Sequence, residues 1–282
     1  MQRSNPENNN QLDATYGQFL DALFEKDRLS YLGKMIRGLI HNINGPLQNI
    51  SMLVEVLMRG QDQLNRMVRG QDEILPDQWD GHFQKQQQRF QRLTEQIFIL
   101  VGILRDFMVL QEIERNESEV DLKLVLNKLV AVFQADLFLK HQVELELQIA
   151  DGIPLIRILG RDLIPSLIHL FRNAIIAVRE SERKKIVIEC RKEEGRISIV
   201  FRDSGCGFGD DQDKERLFEL FCSNWKESAA KQDSPERHLG FGLFAARRLL
   251  APYGVSVSLE RRGNETLTVL EIPTTSEKSV NR

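Results

Sequence analysis

The sequence predicts an α+β protein with two parts, a long antiparallel helical hairpin followed by an α/β sandwich. Two observations carry this prediction. In the first part, apolar residues recur at alternating spacings of three and four, which is the pattern of amphipathic helices. Beyond a polar stretch at 115–120, short segments of alternating apolar and polar residues are interleaved with helical segments. That mixture is typical of helices packed on one face of a mixed sheet.

Two helices are expected in the first part, one over about 16–60 and a second that ends near Ile113. The first stripe comprises Leu29, Leu32, Ile36, Leu39, Ile43, Pro46, Ile50, Leu53 and Leu57. The second comprises Phe90, Leu93, Ile97, Leu100, Leu104 and Phe107. The turn is expected between 60 and 82. Because a lone hairpin cannot bury both stripes, the pattern predicts a homodimer in which two hairpins form a four-helix bundle.

The domain boundaries follow from the same patterns. We predict a disordered tail at 1–15, the helical hairpin at 16–116, the second domain at 117–274 and a disordered tail at 275–282. In the second domain, helices are expected at 122–140, 161–179 and 240–253. Strands are expected at 143–149, in a hairpin at 186–190 and 197–201, and in a final hairpin at 255–260 and 266–272.

Composition excludes several classes of protein. The net charge of the 282-residue chain is −3, so no whole-chain field favours nucleic acid or an anionic membrane. Three cysteines without CxxC spacing disfavour a disulfide scaffold or a zinc site and fit a reducing cytosol. No apolar run approaches the ~20 residues of a membrane span, and the polar first residues lack the apolar core of a signal peptide. The prediction is a cytoplasmic protein without a membrane span.

His41 stands five residues before Pro46, inside the first helix pattern. A proline in a helix interior costs about 3 kcal/mol, so a helix that carries one usually has a reason. With Ile36 at heptad position a, His41 takes position f and is expected to face solvent. A solvated surface histidine and a functional histidine both fit this phase.

Two glycine-rich segments are candidates for contact with a ligand. Asp203–Gly209 follows a strand and holds three glycines, with the Asp203 carboxylate able to accept a hydrogen bond from an exocyclic amine. In His238–Leu243, glycines open a helix whose free N–H groups and dipole favour phosphate. A plain turn and an ordinary helix cap remain open as alternatives.

His169 and Asn173 lie four residues apart and share a helix face. Asparagine offers a carbonyl oxygen to a hard cation such as Mg²⁺, and histidine is suited to act as a base or a polarising group near neutral pH. A plain polar helix face fits as well. The opposite, packed side is expected to carry Leu163, Leu167, Leu170, Ala174 and Ala177.

Taken in order, these segments resemble the sequence boxes of bacterial two-component sensor histidine kinases, over about residues 28–273. The matching segments are His41–Leu47 (H box), Leu167–Ala177 (N box), Asp203–Gly209 (first glycine box), Leu217–Phe221 (F box) and Gly240–Leu243 (second glycine box). The resemblance implies a dimerisation and phosphoacceptor hairpin followed by a GHKL-type ATP-binding domain, which is a Bergerat-type α/β sandwich.

The resemblance also implies cofactors, partners and residue roles. ATP and Mg²⁺ are the implied cofactors, with Asn173 as the Mg²⁺ ligand and Asp203 on the adenine amine. The implied ATP-binding set comprises Arg172, Asn173, Asp203, Gly205, Gly207, Lys226, Gly240, Gly242 and Leu243. The implied catalytic set comprises His41, the phosphoacceptor, with Asn42 and His169. The phosphoryl group then passes to an Asp of a separate response regulator. Input is expected from an upstream sensory partner or through the polar stretch near residues 60–82.

Asn42 departs from the family pattern, because many H boxes carry an acid directly after the histidine. A neutral amide cannot take a proton at pH 7, although it can orient the ring. A second hypothesis therefore remains, a pseudokinase or phosphotransfer scaffold with weak or no autophosphorylation. A third is a related ATPase of the same fold, such as an anti-sigma serine kinase or a chaperone. The hairpin with its H box argues against the third.

Overall fold

A computed structural model of the chain describes residues 6–69, 76–115, 119–134, 136–208, 211–223 and 240–274. The helices, in chain order, are α1 (Pro6–Val68), α2 (Pro76–Arg115), α3 (Leu122–Phe133), α4 (Leu137–Gln142), α5 (Gly160–Arg179) and α6 (Gly242–Leu250). The strands are β1 (Glu144–Ile149), β2 (Lys185–Glu193), β3 (Arg196–Asp203), β4 (Ser256–Arg262) and β5 (Glu265–Pro273). The predicted α+β class is confirmed. None of the helices in the described ranges is long and apolar enough to cross a bilayer.

The chain divides into two compact units. One comprises Ile36–Val109, which we call the hairpin unit, and the other comprises Met1–Met35 with Leu110–Arg282, which we call the sheet unit. This division differs from the predicted boundary at 116. In the sheet unit, Nε of Arg28 on α1 donates to Glu114 on α2 at 2.9 Å, and Glu114 is buried. The two ends of the predicted hairpin domain therefore belong to the sheet unit.

In the hairpin unit, α1 and α2 run antiparallel, as predicted. Asn49 donates from Nδ2 to Oε1 of Gln96 at 3.1 Å, and Gln86 donates from Nε2 to the Leu57 carbonyl at 3.5 Å. As the residue numbers increase along α1, the numbers of their partners on α2 decrease, so the two helices run in opposite directions. Helix α1 ends at Val68 and α2 begins at Pro76, inside the interval predicted for the turn.

Some apolar side chains of the hairpin unit are exposed, although they belong to regular rows along the two helices. The predicted α2 stripe separates into a half-buried row (Leu93, Leu100, Phe107) and an exposed row (Phe90, Ile97, Leu104). On α1, an exposed row at intervals of seven comprises Ile40, Leu47 and Val54. A single hairpin therefore uses only part of its apolar surface.

In the sheet unit, the strand order is β1-β2-β3-β5-β4. Strand β1 is parallel to β2, and the other neighbouring pairs are antiparallel. Both predicted hairpins and the mixed sheet are confirmed. Helices α3, α5 and α6 contribute to one apolar core with the inward-facing strand residues, among them Ile188 and Phe201. This packing fixes α5 on the sheet, which matters because α5 carries the N-box residues.

Three predicted boundaries were wrong. Residues 6–15, predicted as a disordered tail, belong to α1, because each residue added to an existing helix contributes a further hydrogen bond. The helix predicted over 122–140 is two helices, because the Asp136 side chain accepts from the N–H groups of Phe138 and Leu139 and caps α4. The helix predicted over 240–253 begins at Gly242 and continues beyond Leu250 as a 3₁₀ turn that contains Pro252.

Candidate nucleotide-binding site

One row of side chains on α5 organises the candidate site. His169, Asn173 and Ala177 are four residues apart, so they lie on one helix face at intervals of about 6 Å. Each end of the row contacts one of the two glycine-rich segments. Asn173 lies between these contacts, one turn from each.

At the Ala177 end, the loop after β3 crosses α5. The N–H of Cys206 donates to the Ala177 carbonyl at 3.3 Å. A Cβ placed on Gly205 would overlap the Ala177 side chain, so only glycine permits this approach. Ala177 was predicted on the side of α5 opposite His169 and Asn173, and this was wrong, because its spacing of four from Asn173 puts it on their face, where this loop buries it.

At the His169 end, the first turn of α6 lies against the imidazole. A Cβ placed on Gly242 would lie 3.3 Å from His169 Nδ1. Gly240, just before the helix, has a φ of 63°, and a Cβ there would overlap the backbone of Cys222. The Gly240 carbonyl also accepts from the Phe221 N–H at 3.2 Å. The start of α6 is thus fixed between α5 and the end of the F-box segment.

Asp203 ends β3 and is only 4% exposed. Burial raises the pKa of its carboxyl group to about 7, with an opposing contribution from the hydrogen bond that the Gly205 N–H donates to Oδ1 at 3.0 Å. Nearby Glu265 adds a smaller raising effect on the pKa. A buried carboxyl group at the edge of the glycine loop is suited to accept a hydrogen bond from an exocyclic amine.

Asn173 is half-buried on α5, as are Arg172 and, on α6, Leu243. Gly207 has a φ of 76°, which lets the first glycine loop turn sharply. Lys226 lies outside the described residues.

In the part of the chain that the structure describes, no cluster of three or more His, Cys, Asp or Glu side chains is arranged to hold a metal ion. A single amide oxygen fits Mg²⁺, which keeps several waters and binds through phosphates and one or two protein oxygens.

His169 has a partner that sequence reasoning missed. Its Nε2 lies 2.8 Å from Oδ2 of Asp27 on α1, 142 positions away in the sequence, and the ring is buried. The ring also meets Phe241 edge-on, with 6.1 Å between the ring centres. We predicted His169 as a base or polarising group, and the structure shows that its ring already engages a carboxylate. The sequence holds no periodic signal that links these two positions.

The H box lies in the hairpin unit. His41 is exposed, as predicted, and Leu39 and Ile43 are half-buried, but Ile36, the residue taken as heptad position a, is itself exposed in a single hairpin. Pro46 lies within α1, which continues on both sides. Because proline has no N–H, the Asn42 carbonyl lacks the donor that residue 46 would otherwise supply.

The sheet unit matches a known family. Residues 161–276 match the model described as "Histidine kinase-, DNA gyrase B-, and HSP90-like ATPase". This segment contains α5, both glycine-rich segments and the sheet from β2 onward. The match to this family model agrees with the predicted GHKL-type ATP-binding domain.

The curated relatives extend across both units. Sensor protein FixL of Bradyrhizobium diazoefficiens is 26% identical over 252 residues, covering 86% of this chain and 44% of that protein. Sensor histidine kinase ZraS of Salmonella typhi is 24% identical over 271 residues, covering 88% of this chain and 48% of that protein. The chain thus spans less than half the length of these relatives. Among solved structures, the catalytic domain of histidine kinase ThkA is 21% identical, with a TM-score of 0.47, over 56% of this chain and 95% of that chain.

The family model and the curated relatives confirm the resemblance predicted from the sequence. The chain is a relative of the two-component sensor histidine kinases with a GHKL-type ATP-binding domain. The relatives' names agree with the predicted enzyme class, an ATP-dependent protein-histidine kinase.

Proposed function

We propose that this protein binds Mg-ATP in the sheet unit, transfers the γ-phosphoryl group to a ring nitrogen of His41, and donates it to an Asp of a separate response regulator. The observation that carries the proposal is the α5 row. Asn173 lies one turn from Gly242 at its His169 end and one turn from Gly205 at its Ala177 end. Two glycine segments thereby border a residue suited to bind a cation.

Each of three parts of the site has a proposed task. The N–H groups at the amino end of α6 hold the phosphates, as helix amino termini do in other nucleotide sites. The Asn173 side-chain oxygen holds Mg²⁺, which would neutralise phosphate charge during transfer. The Asp203 carboxylate accepts from the adenine amine. Catalysis of phosphoryl transfer is mostly positioning and charge stabilisation, so a rigid α5 is the main contribution of the protein.

The solvent exposure of His41 supports its proposed role as the phosphoryl acceptor. A nucleophile must be reachable, and a heptad f position on a long helix gives an exposed side chain on a rigid element. Asn42 is half-buried next to it and is proposed to orient the ring through its amide. The exposed apolar rows on α1 and α2 support a homodimer through the hairpin unit, in which two copies would cover these rows.

A labelling assay tests the proposal. The protein is incubated with γ-labelled ATP and Mg²⁺, and the labelled product is treated with acid and with alkali. We expect label that is lost in acid and kept in alkali, and that is absent from His41→Gln but present in the matched control His82→Gln. Acid-stable label, or acid-labile label retained by His41→Gln, would contradict the proposal.

Asn42 favours the second function, a pseudokinase or phosphotransfer scaffold. In that case the protein would bind nucleotide without labelling itself and would accept phosphate from a phosphorylated response regulator or a partner kinase. The same assay separates the two functions, because nucleotide binding without label supports the scaffold. Restoring an acid through Asn42→Glu would then be expected to increase the label.

A further inference from the structure

One face of α1 in the sheet unit is turned toward the start of α6. Leu20, Phe24 and Asp27 are spaced by four and three residues, so they share a helix face. Leu20 is 5% exposed, and Phe24 and Asp27 are half-buried, whereas Asp21 and Lys26 on the same stretch are exposed. This face therefore packs against the sheet unit and is not free in solvent.

Phe24 contacts the two aromatic residues around Gly242. Its ring centre lies 5.5 Å from that of Phe241, and it stacks on Phe244 with 6.3 Å between ring centres. Helix α1 consequently restrains the first turn of α6, which supplies the N–H groups proposed to bind phosphate.

Asp27 accepts a hydrogen bond from His169 beside the first turn of α6. A carboxylate oxygen only accepts, so Nε2 of His169 donates to Asp27 Oδ2 at 2.8 Å. The other ring nitrogen, Nδ1, faces Gly242, and Asn173 is one turn further along α5. The His169 ring that donates to Asp27 therefore lies next to the start of α6, which is proposed to hold the phosphates, and one turn from Asn173, which is proposed to hold Mg²⁺.

We propose that Asp27 and the nucleotide phosphates compete for His169, so that α1 carries an internal competitor that lowers affinity for ATP. The inference rests on the proposed function, because it assumes phosphates at the start of α6. Two anionic groups compete for one imidazole donor, and their like charges repel each other at this distance. Displacement of residues 20–28 of α1 frees His169 to contact phosphate and raises nucleotide affinity.

Contacts through the end of α2 connect α1 to the start of α5. Arg28, the residue after Asp27, donates to the buried Glu114 carboxylate at the end of α2. A Cβ on Gly160, the first residue of α5, would overlap the Ile113 carbonyl. A shift of α1 against α2 would therefore act on α5 at its start as well as at His169.

Calorimetric titration of the full chain tests the competition. The probes are the non-hydrolysable analogue AMP-PNP with Mg²⁺ and, separately, adenosine, which has no phosphates. The variant is Asp27→Asn, and the matched control is Asp21→Asn, the same change at an exposed position six residues earlier on α1. We expect Asp27→Asn to bind AMP-PNP about tenfold more tightly, with adenosine affinity and the Asp21→Asn control unchanged.

Two further variants make the test specific. Phe24→Ala loosens the same face and leaves the hydrogen bond between His169 and Asp27 in place, and we expect it also to tighten AMP-PNP binding. In a His169→Gln background, Asp27→Asn is expected to have no effect, because the group for which Asp27 competes is gone.

The outcomes separate this inference from the proposed function. If the wild type binds AMP-PNP and Asp27→Asn matches Asp21→Asn, or if Asp27→Asn changes adenosine binding equally, the competition is contradicted while the kinase proposal stands. If neither the wild type nor any variant binds AMP-PNP, the proposed function is contradicted and the competition with it.

Discussion

Gly205 lies so close to Ala177 that a Cβ on the glycine would overlap the alanine side chain. This approach brings the Asp203 carboxyl group beside the face of α5 that carries Asn173, so two sequence boxes 30 positions apart meet at one helix turn. The close packing of Gly205 on Ala177 therefore positions one border of the candidate site.

The first prediction concerns this glycine. Gly205→Ala is expected to cost about 1–3 kcal/mol of stability, because the added methyl group has no space. Nucleotide affinity should fall at least about tenfold, because the glycine loop must move away from α5. Thermal unfolding and AMP-PNP titration measure the two effects. Gly102→Ala is the control, since its Cβ would meet nothing within 4 Å. Unchanged nucleotide affinity in Gly205→Ala would show that the loop does not form the site.

The second prediction concerns stability and pH. The folded-state pKa of Asp203 is raised to about 7 by burial, whereas an unfolded chain has a value near 3.9. Between these values the folded state binds more protons than the unfolded state, so the free energy of unfolding falls as pH rises. The slope is at most about 1.4 kcal/mol per pH unit. Urea unfolding between pH 5 and pH 8 measures it, and Asp203→Asn should lose this component. An equal slope in both proteins would contradict the assignment.

The third prediction uses the same group in nucleotide binding. The adenine amine donates, so it favours the ionised carboxylate of Asp203. Affinity for AMP-PNP should therefore rise as pH increases through about 7 in the wild type. In Asp203→Asn the affinity should be weaker and should vary less over this pH range. Titrations at pH 6, 7 and 8 would show the difference, and identical pH profiles would exclude Asp203 from the adenine contact.

The fourth prediction concerns the exposed apolar rows. Ile97 is 44% exposed on α2 and belongs to the row that one hairpin leaves uncovered. We expect the wild type to be a dimer and Ile97→Glu to shift it toward monomer, because a buried charge would be introduced into the bundle. Light scattering after gel filtration gives the mass of each. Gln88→Glu, at an exposed polar position of the same helix, serves as the control. A monomeric wild type would contradict the proposed bundle.

The fifth prediction concerns Pro46. Pro46→Ala supplies the N–H that the Asn42 carbonyl lacks, and it should stabilise the protein by about 1–3 kcal/mol. If α1 must bend below His41 during transfer, the rate of autophosphorylation should fall severalfold. Ser51→Ala tests whether better helix propensity alone lowers the rate, and it should leave the rate unchanged. Pro46→Ala that labels as fast as the wild type would count against a role for bending.

The sequence alone predicted the elements whose signals are local and periodic. The exposure of His41 followed from the heptad phase, and both β hairpins followed from alternating residues around Gly195 and Gly263. The order of the boxes predicted that Asn173, Asp203 and Gly242 contribute to one site. The predictions of the His41 exposure and of the two hairpins succeeded because side-chain period and glycine position directly determine local geometry, whereas the shared nucleotide site stays a prediction.

Other features could not be predicted in this way. The contact between Asp27 and His169 joins positions 142 residues apart and depends on how α1 packs, which no local pattern encodes. The start of α1 was placed too late, because a polar run gives no periodic signal even where an adjacent helix extends through it. The break before α4 had a usable signal, since Asp136 is a favourable N-cap residue, but the apolar pattern across it suggested one helix.

The most direct measurement of the central claim is the position of the phosphoryl group. After reaction with Mg-ATP, the protein is digested with trypsin at alkaline pH, which preserves phosphohistidine, and the peptides are analysed by mass spectrometry. The peptide 38–59 contains His41 as its only histidine. The account predicts one added phosphoryl group on His41 in this peptide, and its disappearance after brief acid treatment. A phosphoryl group on another peptide, or an acid-stable one on Ser51, would contradict it.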